Sequence, residues 1–402
     1  MLNQIKKNSK IEIVVSILVL LILLNYFVMF ISYNVYVIKI IFSFYILTVL
    51  FFFVHKPLNF IHLKITLVIL MIIILGNPTY FWDAWSGWLF QAKRIFFLQS
   101  IVALLDEYSA MQNDYPVIAP AFVASLATLV GGWNNIFPKL AILLMFFPPL
   151  ILSIKTFNTR YHLLFLILVL FIFNLQLVIG IVDGLVAIYF TFSSYLIYEI
   201  FVNKQNSFYY LFILFCFFII LSLLKHEGIV MVLILLSIIF IINISKKRFF
   251  KNHKKIIFLL CSIIPIIIWK IICINYNIKN PHLNIFVDQN IFSYIFLKNM
   301  IFNFNSLELI FKFFILDTRF ILSIIFLLIA FYFNKNKKVN YFSLSIGTTY
   351  LFFLIIIYLI IPYDLSWSLE TTITRVTMPL ALSFSFFGLL QIYYKKEKYL
   401  NL

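Results

Sequence analysis

Long uninterrupted apolar runs constrain the fold of this chain more than any other feature of its sequence. The first run, 11–33, is long enough to span about 30 Å of hydrocarbon, and it is too long and too soon followed by others to be a cleaved signal peptide. Of the 402 residues, 64% are hydrophobic and only 11% are charged, which leaves too little polar surface to cover a soluble domain.

The apolar runs are spread over the whole chain. They lie near 11–33, 35–54, 62–76, 117–131, 136–154, 161–180, 184–203, 207–224, 228–245, 256–275, 316–333, 340–361 and 376–394. The sequence therefore predicts an all-α fold, a polytopic transmembrane helical bundle of about 12–13 membrane segments. We expect residues 1–402 to form a single integral membrane domain.

Basic residues occur in short clusters between these runs and predict the orientation of the bundle. The strongest clusters are 6–10, 246–255, 335–338 and 395–398, and they mark the cytoplasmic side. The net charge of +17 is therefore better explained by orientation and by contacts with anionic headgroups than by nucleic-acid binding. The three cysteines lie in apolar runs without CxxC spacing, which indicates neither a disulfide framework nor a metal knuckle.

The alternation of spans between basic clusters fails only over 117–154. Two apolar segments lie there, although an odd number of crossings is required. We expect that one of them is re-entrant or that the pair forms one broken span, and GGWNNIF (131–137) suits such a break.

Three segments on the predicted extracytoplasmic side are long or polar: 77–116, 276–315 and 362–375. Within the second, 290–315 resembles an interfacial stretch. Eleven of the 14 acidic residues fall on or near this side. Acidic residues have little influence on topology, so this bias indicates a functional surface there.

The first of these segments contains FWDAWSGWLFQAKR (81–94). Three- and four-residue spacing predicts an amphipathic interfacial helix whose apolar stripe is Trp82, Trp85, Trp88, Ala92 and Ile95. Asp83 lies in its first turn, where a carboxylate complements the helix dipole. The alternative is that Asp83 is a general base held at the headgroup level, able to take a proton from an acceptor hydroxyl.

Further carboxylates precede or interrupt apolar runs. Asp114 and Tyr115 stand before Pro116, which fits either a capped helix start or a site for an acceptor or a divalent cation. Asp183 interrupts a long apolar stretch; it either caps a tight turn with Gly184 or is functional, as intramembrane carboxylates usually are.

Isolated basic residues occur on the same predicted side. Lys225 and Glu227 flank His226 between two runs, as a salt-paired turn or as a phosphate-binding lysine held by a glutamate. Arg375 opens the last run, either snorkelling or binding a phosphate with two hydrogen bonds.

These stretches together resemble the GT-C class of polytopic membrane glycosyltransferases. The resemblance is carried by Trp82-Asp83-Ala84-Trp85 with Trp88 and Lys93, by Asp114-Tyr115-Pro116, by Lys225-His226-Glu227-Gly228, and by Trp367, Leu369, Thr371, Thr372 and Arg375. The motifs are short, but they keep their order over most of the chain. Two positions depart from the pattern: Thr371-Thr372 replaces the usual Thr-Ser pair, and His226 fills the variable position of the turn.

The resemblance implies inverting transfer of a sugar from a polyprenyl-monophosphate donor to an acceptor hydroxyl, at the extracytoplasmic face of a bacterial cytoplasmic membrane. It makes Asp83 the base, and Lys225 and Arg375 donor-phosphate ligands. Trp85, Trp88 or Tyr115 can stack on the sugar, although an interfacial aromatic belt explains exposed tryptophans equally well. Lys93, Asp114, Asp183 and Glu227 are further substrate-binding candidates. No cofactor is certain; Mg²⁺ or Mn²⁺ held by Asp114, Asp183 or Glu227 is an open alternative.

Two other functions stay open from sequence. An O-antigen-polymerase-like enzyme would use arginines in large outer loops, whereas the outer loops here carry mainly aspartates. A lipid-linked glycan flippase or transporter would show repeated halves and broken helices at the midplane. The sequence does not identify the sugar, and the acceptor can be a glycan, a lipid or a protein. Membrane lipids are expected partners, and nucleic acid is not.

Overall fold

The computed structural model describes residues 2–55, 61–76, 82–105, 114–177, 179–205, 207–245, 249–278, 304–333, 337–360 and 364–400, and every regular element in these ranges is helical. The α-helices are α1 Leu2–Ile31, α2 Val35–His55, α3 Ile61–Gly76, α4 Leu89–Leu98, α5 Ile118–Val130, α6 Lys139–Met145, α7 Phe147–Thr156, α8 Thr159–Phe173, α9 Asp183–Ile197, α10 Phe208–Leu224, α11 His226–Ser245, α12 Phe249–Leu260, α13 Ile264–Asn275, α14 Phe304–Leu316, α15 Thr318–Phe333, α16 Lys337–Ile360, α17 Leu365–Val376 and α18 Met378–Leu400. Asp83–Trp88 and Tyr198–Val202 are π-helical turns, and Val102–Leu104, Asn174–Leu177 and Cys261–Ile263 are 3₁₀ turns.

The prediction of a helical bundle with apolar helices of membrane length is confirmed. Eight helical segments are long and apolar enough to cross a membrane, or nine if α14 and α15, bent by 76°, count as one span. Four shorter apolar helices, α3, α5, α8 and α10, accompany them. If all four also enter the membrane, the bundle has the 12–13 membrane segments predicted from the sequence. That number stays a prediction.

Helix α9 lies at the centre of the bundle. All of its side chains are buried, and it packs against α10, α11 and α18. Thr191 of α9 hydrogen-bonds Ser383 of α18 over 3.0 Å, the kind of hydroxyl contact that joins helices where water is scarce. Helices on the outside of the bundle instead have one buried and one exposed face. In α2, Phe42 is fully buried whereas Phe44 is 58% exposed.

The two ends of α9 define the two ends of the bundle. Asp183 begins the helix, and Glu199 follows it in a π-helical turn, about 24 Å further along at 1.5 Å per residue. At the Glu199 end, the Tyr394 hydroxyl lies 3.2 Å from the Glu199 carboxylate, and Lys155 pairs with Glu12. The Asp183 end carries the candidate site.

Helix α5 begins and ends at the Asp183 end. Just before it, Asp114 contacts His226 at the start of α11; in its last turns, the Thr128 hydroxyl lies 2.6 Å from that of Tyr33, which follows α1. Gly131 ends the helix at φ +85° and starts the loop that leads to α6. The continuous α6–α7 segment, Lys139–Thr156, is long and apolar enough to cross a membrane, whereas α5 is shorter; the re-entrant or broken span expected over 117–154 stays a prediction.

The segment 82–98 is helical, but the residues of the predicted stripe are not all buried against the protein. Trp88, Ala92 and Ile95 are buried as expected, whereas Trp82 is 58% and Trp85 49% exposed. The reason is the π-helical turn Asp83–Trp88, whose i→i+5 hydrogen bonds shift the helical register.

The three predicted extracytoplasmic segments are described only in part. Residues 77–81, 106–113, 279–303 and 362–363 lie outside the described residues, as does most of the interfacial stretch expected over 290–315. The remainder of that stretch lies in α14, the first helix of the bent pair. The third segment forms most of α17. Of the basic clusters, 246–248 and 335–336 also lie outside the described residues.

A tight helix break separates α10 from α11. Lys225 is extended there (φ −162°, ψ 158°), and the Gly228 amide donates to the Lys225 carbonyl over 2.9 Å. A Cβ on Gly228 would overlap the backbone carbonyl of Leu221. We therefore expect Gly228→Ala to lower the yield of monodisperse protein and its thermal unfolding temperature, whereas Gly132→Ala, where a Cβ meets nothing within 4 Å, leaves both near wild type. Equal behaviour of the two variants would mean that the break tolerates a side chain.

Candidate active site

Five charged side chains meet at the Asp183 end of the bundle. The Asp183 carboxylate accepts from Lys225 Nζ over 3.0 Å and from Arg375 Nε over 3.2 Å. Arg375 Nη1 also lies 2.6 Å from Asp83 Oδ2, and Lys225 Nζ lies 3.0 Å from Glu227 Oε1. We call these five residues the charged cluster.

Each member of the charged cluster is placed by a helix end or a break. Asp183 is the first residue of α9, where its charge complements the helix dipole. Lys225 lies in the break between α10 and α11, and Arg375 lies in the last turn of α17. Asp83 begins the π-helical turn that precedes α4. The cluster therefore joins four parts of the chain.

Ion pairing keeps Lys225 charged although it is buried. Its side chain is only 9% exposed, and burial alone would lower the pKa of its ammonium group. The carboxylates of Asp183 and then Glu227 outweigh burial and raise that pKa well above its usual value. Lys225 is therefore a permanent cation at neutral pH, as a phosphate ligand must be.

A second polar group adjoins the charged cluster through the start of α11. Asp114 Oδ2 lies 2.8 Å from His226 Nε2 and 2.9 Å from Lys270 Nζ, and the indole of Trp269 donates to the Asp114 carbonyl over 2.9 Å. Burial favours the neutral carboxyl, but the hydrogen bond and charge of His226, aided by Lys270, hold the pKa of Asp114 well below its usual range. The Tyr115 ring stacks on His226 at 4.3 Å.

An apolar groove with a free volume of about 30 Å³ adjoins the charged cluster. Its mouth is formed by Asp183, Lys225, Glu227 and Arg375. Its walls come mainly from one face each of α11 and α16, with the apolar lining Val186, Val230, Met231, Ile234, Tyr350, Phe353, Leu354, Ile357, Val376 and Pro379. A free volume of about 30 Å³ admits one or two water molecules, so an apolar ligand tail enters only if α11 and α16 move apart.

The structure divides the predicted site residues into three groups. Asp83, Asp183, Lys225, Glu227 and Arg375 meet in the charged cluster, which is the convergence that distinguishes one reaction centre from scattered surface charges. Asp114 and Tyr115 form the adjoining group, where the Trp88 ring packs edge-on against Tyr115. Trp85 and Lys93 line a different cavity, with Trp133.

Sequence reasoning missed three residues of the adjoining group. In the sequence His226 stands out only as the variable position of the turn, yet in the fold it links Asp114 to Lys270. Lys270 and Trp269 were not singled out at all. Lys270 did carry a usable signal, because it is a lone cation inside the apolar run 256–275.

The structure gives little support to the metal alternative. The described residues contain no group of three His, Cys, Asp or Glu side chains placed to hold a metal ion. Asp183 is taken up by Lys225 and Arg375, and Asp114 by Lys270 and His226. Glu227 Oε2, buried without a hydrogen-bond partner in the described part of the chain, is a single oxygen and not a ligand set. A role for Mg²⁺ or Mn²⁺ stays a prediction.

Comparison with known proteins adds no relative. No family model, no curated protein and no solved structure matches the chain. Function therefore has to be inferred from the chemistry of the site itself.

Proposed function

We propose that this chain is an inverting glycosyltransferase that moves a sugar from a polyprenyl-monophosphate donor to an acceptor hydroxyl. One observation carries the proposal: a carboxylate, a buried lysine and a half-buried arginine meet at the mouth of an apolar groove. In the proposed orientation, this mouth opens at the extracytoplasmic face of a bacterial cytoplasmic membrane. The acceptor hydroxyl belongs to a glycan, a lipid or a protein.

Asp83 is the proposed base. Arg375 binds its Oδ2, which orients the carboxylate, and the Oδ1 atom can take the proton of the acceptor hydroxyl. The acceptor oxygen then attacks the anomeric carbon, and the bond from that carbon to the phosphate oxygen breaks with inversion. The proton ends on Asp83, and the lipid phosphate leaves with one additional negative charge.

Lys225 and Arg375 are the proposed ligands of the departing phosphate. In the described contacts, Lys225 uses two of its three N–H groups, and Arg375 uses Nε and Nη1. Each cation therefore has a further donor for a phosphate oxygen. Donors already fixed by Asp183 need little reorganisation when charge develops on the leaving group, which is how a site stabilises a transition state.

The groove is the proposed binding site for the first units of the lipid chain. Its lining on α11 repeats at 227, 230, 231 and 234, and on α16 at 350, 353, 354 and 357, so one face of each helix contributes. Seven residues of helix extend about 10 Å from the charged mouth. A polyprenyl tail bound there would hold the phosphate against Lys225 and Arg375.

Blocking the groove tests this proposal. Ile234 is 1% exposed and lines the groove, so Ile234→Trp is expected to reduce transfer from a long-chain polyprenyl-phosphate sugar by about tenfold, because the added ring takes the space of the lipid chain. Transfer from a short-chain donor, which does not fill the groove, should change less than about twofold. The measurement is label transfer in proteoliposomes with each donor.

Leu233→Trp is the matched control, because Leu233 precedes Ile234 but is 51% exposed on the outside of α11. It should leave transfer from both donors unchanged. If Ile234→Trp reduced transfer from both donors equally, the loss would reflect damage to the fold. If it reduced neither, the groove would not hold the lipid.

A further inference from the structure

A second cavity lies on the other side of the π-helical turn that carries Asp83. It is open, with a volume of about 510 Å³, and its lining includes Trp85, Lys93, Trp133, Asn134, Asn135 and Pro138. None of these residues belongs to the charged cluster or lines the groove. Asp83 does not line this cavity but precedes Trp85 by two residues, so the cavity adjoins the turn that carries the proposed base.

The lining of this cavity is aromatic, amide and cationic. The Trp85 ring is 49% exposed, and the Trp133 ring is partly exposed. Flat indole faces suit the C–H face of a sugar ring, and the amide nitrogen of Asn134 can donate to its hydroxyls. Lys93 is exposed and can receive an anionic group.

The loop that carries Trp133 is held in place by its own side chains. Asn134 Oδ1 accepts from the amides of Ile136 and Phe137, over 2.8 and 2.9 Å, and Trp133 Nε1 donates to Asn135 Oδ1 over 3.1 Å. A binding surface fixed before the ligand arrives loses less freedom on binding. Interfacial tryptophans that only anchor a helix need neither this cavity nor this loop.

We infer that the Trp85–Trp133 cavity is the binding site of the acceptor, and that the acceptor is a carbohydrate bearing a carboxylate or phosphate group. The inference rests on the proposed function, because it makes this cavity the side from which the acceptor hydroxyl approaches Asp83. Donor and acceptor then lie on opposite sides of one helical turn. The indoles bind the sugar rings, and Lys93 binds the anionic group.

Binding without catalysis tests this inference. Fluorescently labelled oligosaccharides, one acidic and one neutral but of equal length, are titrated into the full chain in nanodiscs without donor, and anisotropy is measured. Trp85→Ala and Trp133→Ala should each weaken binding of both probes by about tenfold. Lys93→Gln should weaken only the acidic probe, by about threefold, and added salt should remove that difference.

Phe97→Ala is the matched control, because Phe97 lies on α4, is 62% exposed and does not line the cavity; it should leave both affinities unchanged. Lys93 is exposed, so its substitution tests the site without disturbing the core. No binding by wild type, or equal binding by all variants, would overturn the inference. Oligosaccharide binding that depends on Trp85 but no sugar transfer from any donor would instead overturn the proposed function and leave the carbohydrate site standing.

Discussion

Asp83→Asn is expected to reduce sugar transfer by about a hundredfold or more, because an amide cannot take the proton of the acceptor hydroxyl. The amide oxygen can still accept the hydrogen bond from Arg375, so the fold should persist. The measurement uses proteoliposomes, a panel of radiolabelled polyprenyl-phosphate sugars and crude envelope acceptor. Thermal unfolding of the same preparations verifies that the variant is folded.

Asp364→Asn is the control for this experiment. Asp364 caps α17 by accepting from the Trp367 amide over 2.8 Å, and asparagine caps a helix about as well, so transfer should be unchanged. Equal transfer by wild type and Asp83→Asn would remove Asp83 from the mechanism and leave its segment as an interfacial anchor. Absence of transfer by wild type, with the lipid-linked sugar crossing the bilayer instead, would favour transport.

Asp183→Ala is expected to cost about 3 kcal/mol or more of unfolding free energy, because it leaves a buried lysine and a half-buried arginine without their shared carboxylate. Lys225 retains Glu227 and Arg375 retains Asp83, which limits the loss. Denaturant or thermal unfolding of the protein in detergent micelles measures the change. Ser193→Ala, on the same buried helix but with no hydrogen-bond partner of its Oγ in the described part, should be near neutral.

A double-mutant cycle distinguishes ion pairing from simple loss of packing. Lys225→Met removes the cation that Asp183 neutralises, so the double variant should be less destabilised than the sum of the single variants by about 1 kcal/mol or more. Additive effects would show that the pair does not stabilise the fold, and the charged cluster would then lack the rigidity that the mechanism assumes.

Much of the architecture follows directly from the sequence, because apolar runs of membrane length can only satisfy their backbone as helices. The same reasoning singles out Asp183, since a carboxylate in such a run is costly unless it has a partner. It cannot identify that partner, because Lys225 and Arg375 are 42 and 192 positions away. Tertiary packing alone decides such contacts.

Local register was harder to predict than topology. The spacing of Trp82, Trp85 and Trp88 indicates one face of an α-helix. Trp85 and Trp88 lie in a π-helical turn instead, and there Trp85 is exposed whereas Trp88 is buried. The sequence pattern did not reveal that Trp85 lies away from the buried face and lines a separate cavity. The expectation of a re-entrant or broken span over 117–154 rests only on the odd number of crossings, since the composition of α5 is that of any apolar helix.

Arg375 is synthesised long after its partners Asp83 and Asp183, because it lies much nearer the end of the chain. Asp183 and Lys225 lie 42 positions apart, so they can neutralise each other soon after both have left the ribosome, while Arg375, 192 positions beyond Asp183, is still to be translated. The Asp183 carboxylate, which is energetically costly in a membrane, is thus paired with a cation during insertion, before the last helices are synthesised. Asp83 meets Arg375 only once the last helices are made, so under the proposed mechanism an incompletely synthesised chain lacks the aligned base.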